Sequence, residues 1–433
     1  MADLFEEVIE RVRQHPKLII VDDFEISVYA KHSRRKRFAD GETSEDMSED
    51  QILVGLRLVH RKQPGSATVS ETDKASLSHL VESAFSSSRL SSPNPWFRFP
   101  LWRSSTANPT PIPVPHPTEW LYDSLEPHVT GRTGSLEEVY SIDEKRFELF
   151  RKSERSRPQY RQTIHRFGFR IAFESGGTRG FIQEERARSK SMREDRTKPI
   201  LRAVKLGGAL THAQPVDMKG RHCVLLSPPA ASEIVKGILP WFFFDQIQFG
   251  KSPLAFPESQ PEFSKLLSLV DDGLLPGAAH SVPFDCEGVP GQRTELVRDG
   301  KIVGALFDSQ MASRENRLST GNFVGQGVST GIGVTNSYFE PRAGAFAEFL
   351  REMTSGIAIE SVQSLTWRSG RCVLTGCGWW VEQGQPVCPV SGVEVTLDIN
   401  QALRSVSHVG KDLMIFDHFG SPSLLLQEIP LGE

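Results

Sequence analysis

Asp299-Gly300 is the strongest single folding instruction in this chain. Thr294–Val297 before it and Ile302–Phe307 after it are rich in strand-forming residues. Asp-Gly supplies the positive φ angles that a tight primed turn needs, so the stretch is expected to fold as a β-hairpin. Just upstream, Asp285-Cys286-Glu287-Gly288-Val289-Pro290 is a carboxylate-rich turn whose glycine and proline set the chain's direction. A hairpin of this kind needs a larger sheet to join.

At 433 residues the chain exceeds one ordinary core, so two domains are the natural reading. We read an α+β fold. Residues 1–198 form an N-terminal α/β domain of sheet and helix. Residues 199–433 form a C-terminal β-rich domain of antiparallel hairpins, with the boundary near Pro199 after the charged run Arg193–Lys198. Hydrophobic residues at 38% and charged residues at 24% describe a globular protein, and a net charge of −4 argues against a nucleic-acid binder. The N-terminus, MADLFEEVIERV, is acidic and amphipathic, unlike a secretory signal, and no apolar run approaches the ~18–20 residues of a membrane span. Five cysteines in so long a chain do not make a disulfide framework, and a reducing cytoplasm is expected.

Along the chain, Asp3–Arg13 places Leu4, Phe5, Val8, Ile9 and Val12 on one helical face. Leu18–Val21, Phe24–Tyr29, Ile52–His60 and Ser66–Val69 read as strands, and Asp73–Phe85 as a helix. The basic run Lys31–Arg37 is followed closely by acidic residues and reads as a solvated hairpin edge rather than a nucleic-acid patch. Ser91–Pro117, rich in proline and serine, reads as a long surface loop pinned by Trp96, Phe97, Phe99 and Trp102, with a substrate or partner contact as the sharper alternative. Ser135–Ser153 is expected to be helical, and Gln159–Phe173 and Phe181–Ser191 to be strands. In the second half, His222–Leu226 is a strand. Pro228-Pro229 opens a helix through Leu239, since proline is tolerated in a first turn. A helix is expected at Ala343–Met353, and a hairpin around Gln383-Gly384.

Chemistry is harder to find. Asp285 and Glu287 suit an acid/base pair, or a pair of turn caps accepting backbone N–H groups, which is the commoner use. Cys372, Cys377 and Cys388 fit no common zinc spacing, and together with His212, His222 and Cys223 they read as ordinary buried thiols and scattered histidines. Ser252 lies in no nucleophile elbow. The glycine-rich Thr320–Gly333 lacks the dinucleotide fingerprint and reads as a flexible loop.

Pro283–Ala312, PFDCEGVPGQRTELVRDGKIVGALFDSQMA, resembles the core signature of the TldD/TldE family of paired metalloprotease subunits, also called PmbA and "modulator of DNA gyrase". The resemblance is strong over Leu266–Ala312, moderate over Asn322–Glu340 and Trp379–Val390, and loose before residue 200, where GLRLVHRKQPGSATVSETDKASLSHLVESAF and FRIAFESGGTRG carry it. In the zinc-bearing subunit an HExxxH motif sits on the helix that here reads PPAASEIVKGIL. Two histidines and a C-terminal cysteine hold the ion, and the glutamate activates water. In this chain Ile234, Val235 and Leu239 stand where His, Glu and His belong. Glu233 is present but no histidine is, and zinc cannot be held by an aliphatic face. Cys377-Gly378 is similar to the cysteine ligand's surroundings, but the WWVEQGQPVCPV that follows matches the zinc-free subunit, so no ligand role is assigned. The resemblance therefore implies a TldE-like, non-catalytic chain with no catalytic residue and no cofactor of its own. It implies a heterodimer with a TldD-like HExxxH subunit that carries the zinc, acting on unfolded or modified peptides. This chain would shape the cleft and offer strand edges to the peptide. Cleft candidates are Asp285, Glu287, Arg293, Asn322, Thr335 and Asn336. A regulatory peptide- or protein-binding role without proteolysis is the alternative, and an enzyme using Asp285 and Glu287, or an unrecognised metal set, is a third.

Overall fold

Alternation of apolar side chains, interrupted by two-residue turns, builds the sheets of this molecule largely from antiparallel strands. The structure is a computed structural model, which describes residues 2–39, 42–97, 99–100, 136–153, 157–175, 178–189, 197–255, 263–326, 329–368 and 371–431. The first half contributes helix α1 (Ala2–Arg13), strands β1 (Asp23–Ala39), β2 (Glu42–His60) and β3 (Gln63–Val69), helix α2 (Lys74–Leu90), and strands β4 (Leu136–Arg151), β5 (Gln159–Ser175) and β6 (Thr178–Arg188). Its sheet runs β3-β2-β1-β4-β5-β6. The β2–β3 turn is Arg61-Lys62, with φ of 53° and 66°, the left-handed geometry of a primed turn. Helices α1 and α2 lay Phe5, Val8, Ile9, Leu77, Leu80 and Val81 against Ile26, Val28, Val54, Leu56 and Leu58 of the sheet. Gly65 permits this approach, because a Cβ there would stand 2.2 Å from the Ala84 carbonyl of α2.

Three expectations fail in this half. Lys31–Arg37 is not at a hairpin edge. It lies in β1, paired on one side with β2 and on the other with β4. Its charge is tolerated because cross-strand partners answer it. Arg34 and Lys36 lie 3.3 and 3.4 Å from Asp46, and Arg37 pairs with Glu137. The described part of Ser135–Ser153 is strand β4 (Leu136–Arg151), not helix. Its charged residues invite a solvated helical reading, but tertiary pairing supplies their partners: Asp143 meets Lys31 and Arg166, and Arg151 meets Glu25. Leu18–Val21 makes a short 3-10 turn (Pro16–Leu18) and a bend instead of a strand. Residues 101–117 of the proline-rich segment lie outside the described residues. Before them, Phe99 stacks over Arg57 and Arg151, so its described end is held by an aromatic anchor.

Helix α3 (Thr197–Leu210) lies on the face of β5 and β6, with Ile200, Ala203 and Leu206 against Phe167, Phe169 and Ile182. Beyond it come β7 (Gly220–Leu226), α4 (Pro228–Ile238), β8 (Leu269–Asp272), β9 (Arg293–Arg298), β10 (Lys301–Ile302), β11 (Phe323–Gln326), β12 (Ser329–Ile332), β13 (Ser337–Phe339), α5 (Phe346–Glu352), β14 (Ser355–Arg368), β15 (Arg371–Glu382), β16 (Gln385–Asp398), β17 (Val406–Val409), β18 (Met414–Phe416), β19 (Phe419–Ser421) and β20 (Leu424–Leu431). Two further six-stranded sheets result, β10-β9-β8-β13-β19-β18 and β16-β15-β14-β7-β20-β17, with α4 packed between them, beside a two-stranded β11-β12 sheet. The expected hairpins are present, with Asp299-Gly300 at φ 46° and 79° and Gln383-Gly384 at 48° and 73°. Thr320–Gly333 is not a loose loop. Phe323–Gln326 pairs with Ser329–Ile332, and only the turn residues 327–328 fall outside the description. Helix α5 starts three residues later than expected. Among the described residues no helix is long and apolar enough to cross a membrane, and all five cysteines are free thiols.

Candidate functional site

The carboxylate-rich turn of the signature faces inward, with Asp285 and Glu287 buried. Asp285 Oδ1 accepts the N–H groups of Glu287 at 2.9 Å and Val289 at 3.0 Å, and Oδ2 accepts that of Phe323 at 3.0 Å. Glu287 Oε1 takes the Arg57 guanidinium at 2.8 Å, and Oε2 takes the Ser309 N–H at 2.9 Å. Arg57 in turn reaches Glu25 at 2.6 Å, and Glu25 also holds Arg151. The signature is thus bolted onto β1, β2 and β4 by a buried ionic network. Phe284 adds an apolar plug, its ring 5.4 Å from that of Tyr160 and 6.2 Å from that of Phe147. Burial and the neighbouring Glu287 push the Asp285 carboxyl upward, while its three N–H donors pull the other way.

Asn322, Thr335 and Asn336 are also buried. Asn322 Nδ2 donates to Asp271 at 2.7 Å, and Thr335 donates to the same carboxylate from Oγ1 at 2.8 Å and from its N–H at 2.9 Å. Asn336 Nδ2 donates to the Asp272 carbonyl at 2.8 Å. Arg293, more exposed, pairs with Glu340 and Glu295. The structure therefore gathers the six residues into two scaffolds of internal hydrogen bonds and one surface pair. None of the six lines the large cleft of the molecule.

That cleft, of ≈ 850 Å³, opens where the N-terminal sheet meets α4 and β14. Ile182–Glu185 of β6 form one wall and Glu360–Leu365 of β14 another, with the β18–β19 turn at the rim through Phe416 and Asp417. Among the described residues, two strand edges are unpaired along these walls. Strand β6 ends its sheet. Strand β14 is bonded to β7 only through Gly356–Ile359, so from Glu360 onward its ladder has β15 on one side alone, among the described residues. Six carboxylates and four cations line the walls, giving the cleft an acidic surplus. Arg202 crosses it, 3.4 Å from Glu184 and 4.0 Å from Glu360, and the Trp379 indole donates to Glu360 at 2.9 Å.

Helix α4 presents Pro229, Ser232, Glu233 and Lys236 to the cleft, the i, i+3, i+4, i+7 rows of one face. Ile234, Val235 and Leu239 point the other way, into the core. The helix sits close against β14 because residue 237 is glycine: a Cβ there would lie 1.7 Å from the Trp367 ring. Neither face of α4 carries a histidine, and Glu233 is paired with Lys236 at 3.4 Å. The residues at this position do not fit a zinc ion. Nearby Cys372 and Cys377 do not repair the deficit. Burial pushes both thiols up to about 12, with Glu233 and Glu360 respectively adding to the effect, so both stay protonated. Sequence reasoning missed the cleft itself, because its walls are strand edges and carry no motif. It also missed a histidine–aspartate cluster at the rim, where His280 meets the adjacent pair Asp417 and His418 from more than a hundred residues away in the chain.

Residues 219–433 match the PmbA/TldA metallopeptidase C-terminal domain. The metalloprotease PmbA of Escherichia coli O157:H7 is 28% identical over 161 residues, which are 37% of this chain and 34% of that protein. The first curated relatives are thus matched over only about a third of their length. In fold, the chain is similar to a Thermotoga maritima protein described as a modulator of a DNA gyrase (TM-score 0.84, 19% identity, 98% of this chain and 99% of that one). It is similar also to TldE from Thermococcus kodakarensis (TM-score 0.79, 18% identity, 99% of each chain). The signature turn, the α+β architecture and these matches agree: the chain belongs to the PmbA/TldD/TldE family.

Proposed function

We propose that this chain is the peptide-holding, non-catalytic subunit of a two-chain metalloprotease, with the zinc and its HExxxH motif supplied by a TldD-like partner. One observation carries the reading: a cleft walled by two free strand edges lies against a helix that has the family's position but none of its metal donors. Backbone edges recognise an extended chain through main-chain hydrogen bonds, largely without regard to sequence. This suits unfolded peptides. The acidic surplus favours segments carrying lysine or arginine, since low-dielectric walls strengthen the attraction. Five free cysteines and the absence of a spanning helix among the described residues are consistent with a cytoplasmic setting.

The test is co-expression with an HExxxH relative, followed by incubation with an unfolded peptide. The pair is expected to cleave it, and this chain alone is expected to bind without cleaving. Amide hydrogen exchange should slow at Ile182–Glu185 and Glu360–Leu365 on peptide addition. Turnover by the isolated chain, or failure to form a cleaving complex with any HExxxH relative, would overturn the subunit reading. Binding without proteolysis in every pairing would favour a regulatory protein instead.

A further inference from the structure

His280, Asp417 and His418 converge at the rim of the cleft, with one donor atom from each lying within 4.8 Å of the others. His280 Nε2 lies 2.7 Å from Asp417 Oδ1. The two imidazole rings are stacked, with centroids 3.3 Å apart and planes 13° from parallel. His418 Nδ1 lies 2.9 Å from the Thr335 carbonyl, so this nitrogen carries the proton and Nε2 keeps its lone pair. Such a backbone bond is the outer-shell contact that fixes a metal-binding histidine in orientation and tautomer. Asp417 holds its place in the tight β18–β19 turn at φ 54°, which sets it beside His418 and on the cleft wall.

We infer that His280, Asp417 and His418 form a binding site for one divalent transition-metal ion, separate from the helix position that the family uses for zinc. Two imidazoles and one carboxylate are the donor set that takes Zn²⁺, and also Fe²⁺ or Co²⁺, and leaves coordination positions open. His280 is ready for this role. Burial lowers its pKa to about 4, so at neutral pH the ring is already uncharged. Loading the ion requires no proton loss from the ring, only movement of its proton from Nε2 to Nδ1, together with a splaying of the stacked rings. Asp417 is ionised. Burial alone would raise its pKa, but His280, His418 and Arg166 outweigh that and hold it well below the usual carboxylate range.

The groups that oppose the ion are Arg166 and Lys145. Arg166 stands 3.5 Å from Asp417 and must yield it, but it keeps a second carboxylate in Asp143. Burial, with Arg166 adding to it, lowers the Lys145 amine to about 8, which still leaves it mostly charged at neutral pH and opposed to the ion. The ion would neutralise the Asp417 charge and fix the rim of the cleft.

The experiment is equilibrium dialysis of the full chain against Zn²⁺, followed by metal analysis and by titration with a chromophoric chelator. One Zn²⁺ per chain is expected. His280→Gln and His418→Gln should each weaken binding by about 100-fold or more, and Arg166→Gln should tighten it several-fold by freeing Asp417. Co²⁺ in place of zinc should give visible absorption bands that vanish in both histidine variants. Thermal unfolding confirms that each variant is folded. No stoichiometric ion, or an ion indifferent to both histidine substitutions, overturns the site. Should the histidine variants fail to fold, an unchanged affinity in Arg166→Gln overturns it alone. Peptide protection at the strand edges tests the subunit reading independently, so failure of either is distinguishable.

Discussion

The signature turn and the cleft treat their polar groups in opposite ways. At the turn, every carboxylate oxygen of Asp285 and Glu287 already has a partner within the chain. At the cleft, β6 and the far half of β14 leave a ladder edge open among the described residues. A buried polar group without a partner is costly, so a fully satisfied network is a device for holding structure. An open edge is tolerated only where solvent, or another chain, can complete it. The loudest motif in the sequence therefore works as a clamp between sheets, and the surface that can bind something is silent in sequence.

Breaking the clamp should have the largest effect. Glu287→Ala removes one of the two carboxylates on Arg57 and strips the acceptor from the Ser309 N–H. Arg57 keeps Glu25, so the loss falls at the low end for a buried pair, about 3 kcal/mol. Urea unfolding measures it, and a loss under about 1 kcal/mol would mean that the turn does not tie the sheets together. A second probe of the same segment is pH. Burial raises the Asp308 carboxyl to about 6. The folded state therefore holds that proton more tightly than the unfolded chain does. The resulting stabilisation is full below the unfolded value near 4 and is lost as pH rises through about 6, with a slope of at most about 1.4 kcal/mol per pH unit. Asp308→Asn should flatten that part of the stability–pH profile. A variant as steep as the parent would assign the slope to other groups.

How legible each region was in sequence follows the same division. The Asp299-Gly300 and Gln383-Gly384 turns were readable because a positive φ demands particular residues at two adjacent positions. The helix at Pro228 was readable from its proline start and apolar stripe, and the absence of histidine there needed only inspection. Strand β4 was misread because Glu137, Glu138, Asp143, Glu144, Lys145, Arg146 and Glu148 look solvated until β1 and β5 supply their partners. Lys31–Arg37 failed for the same reason: charge marks an edge only when no cross-strand partner answers it. The cleft walls, and the meeting of His280 with Asp417 and His418, depend on how sheets dock, and local pattern carries no trace of that.

The finest test of the contrast uses proline on β6. Along an edge strand, successive N–H groups point alternately inward to the neighbouring strand and outward to solvent. Gln183, which faces Arg170 across the β5–β6 ladder, and Glu184, which faces Phe169, therefore have opposite roles. Proline at the inward position removes a ladder bond and should lower stability. Proline at the outward position spares the ladder but deletes a donor from the cleft. One main-chain bond contributes about 1 kcal/mol net, so affinity for an unfolded peptide should fall roughly 5- to 10-fold with little change in melting temperature. Affinity measured by fluorescence polarisation, set beside unfolding curves for both variants, separates the two effects. If the variant that keeps its stability also keeps its affinity, peptide does not pair with β6, and the open edge is only an edge.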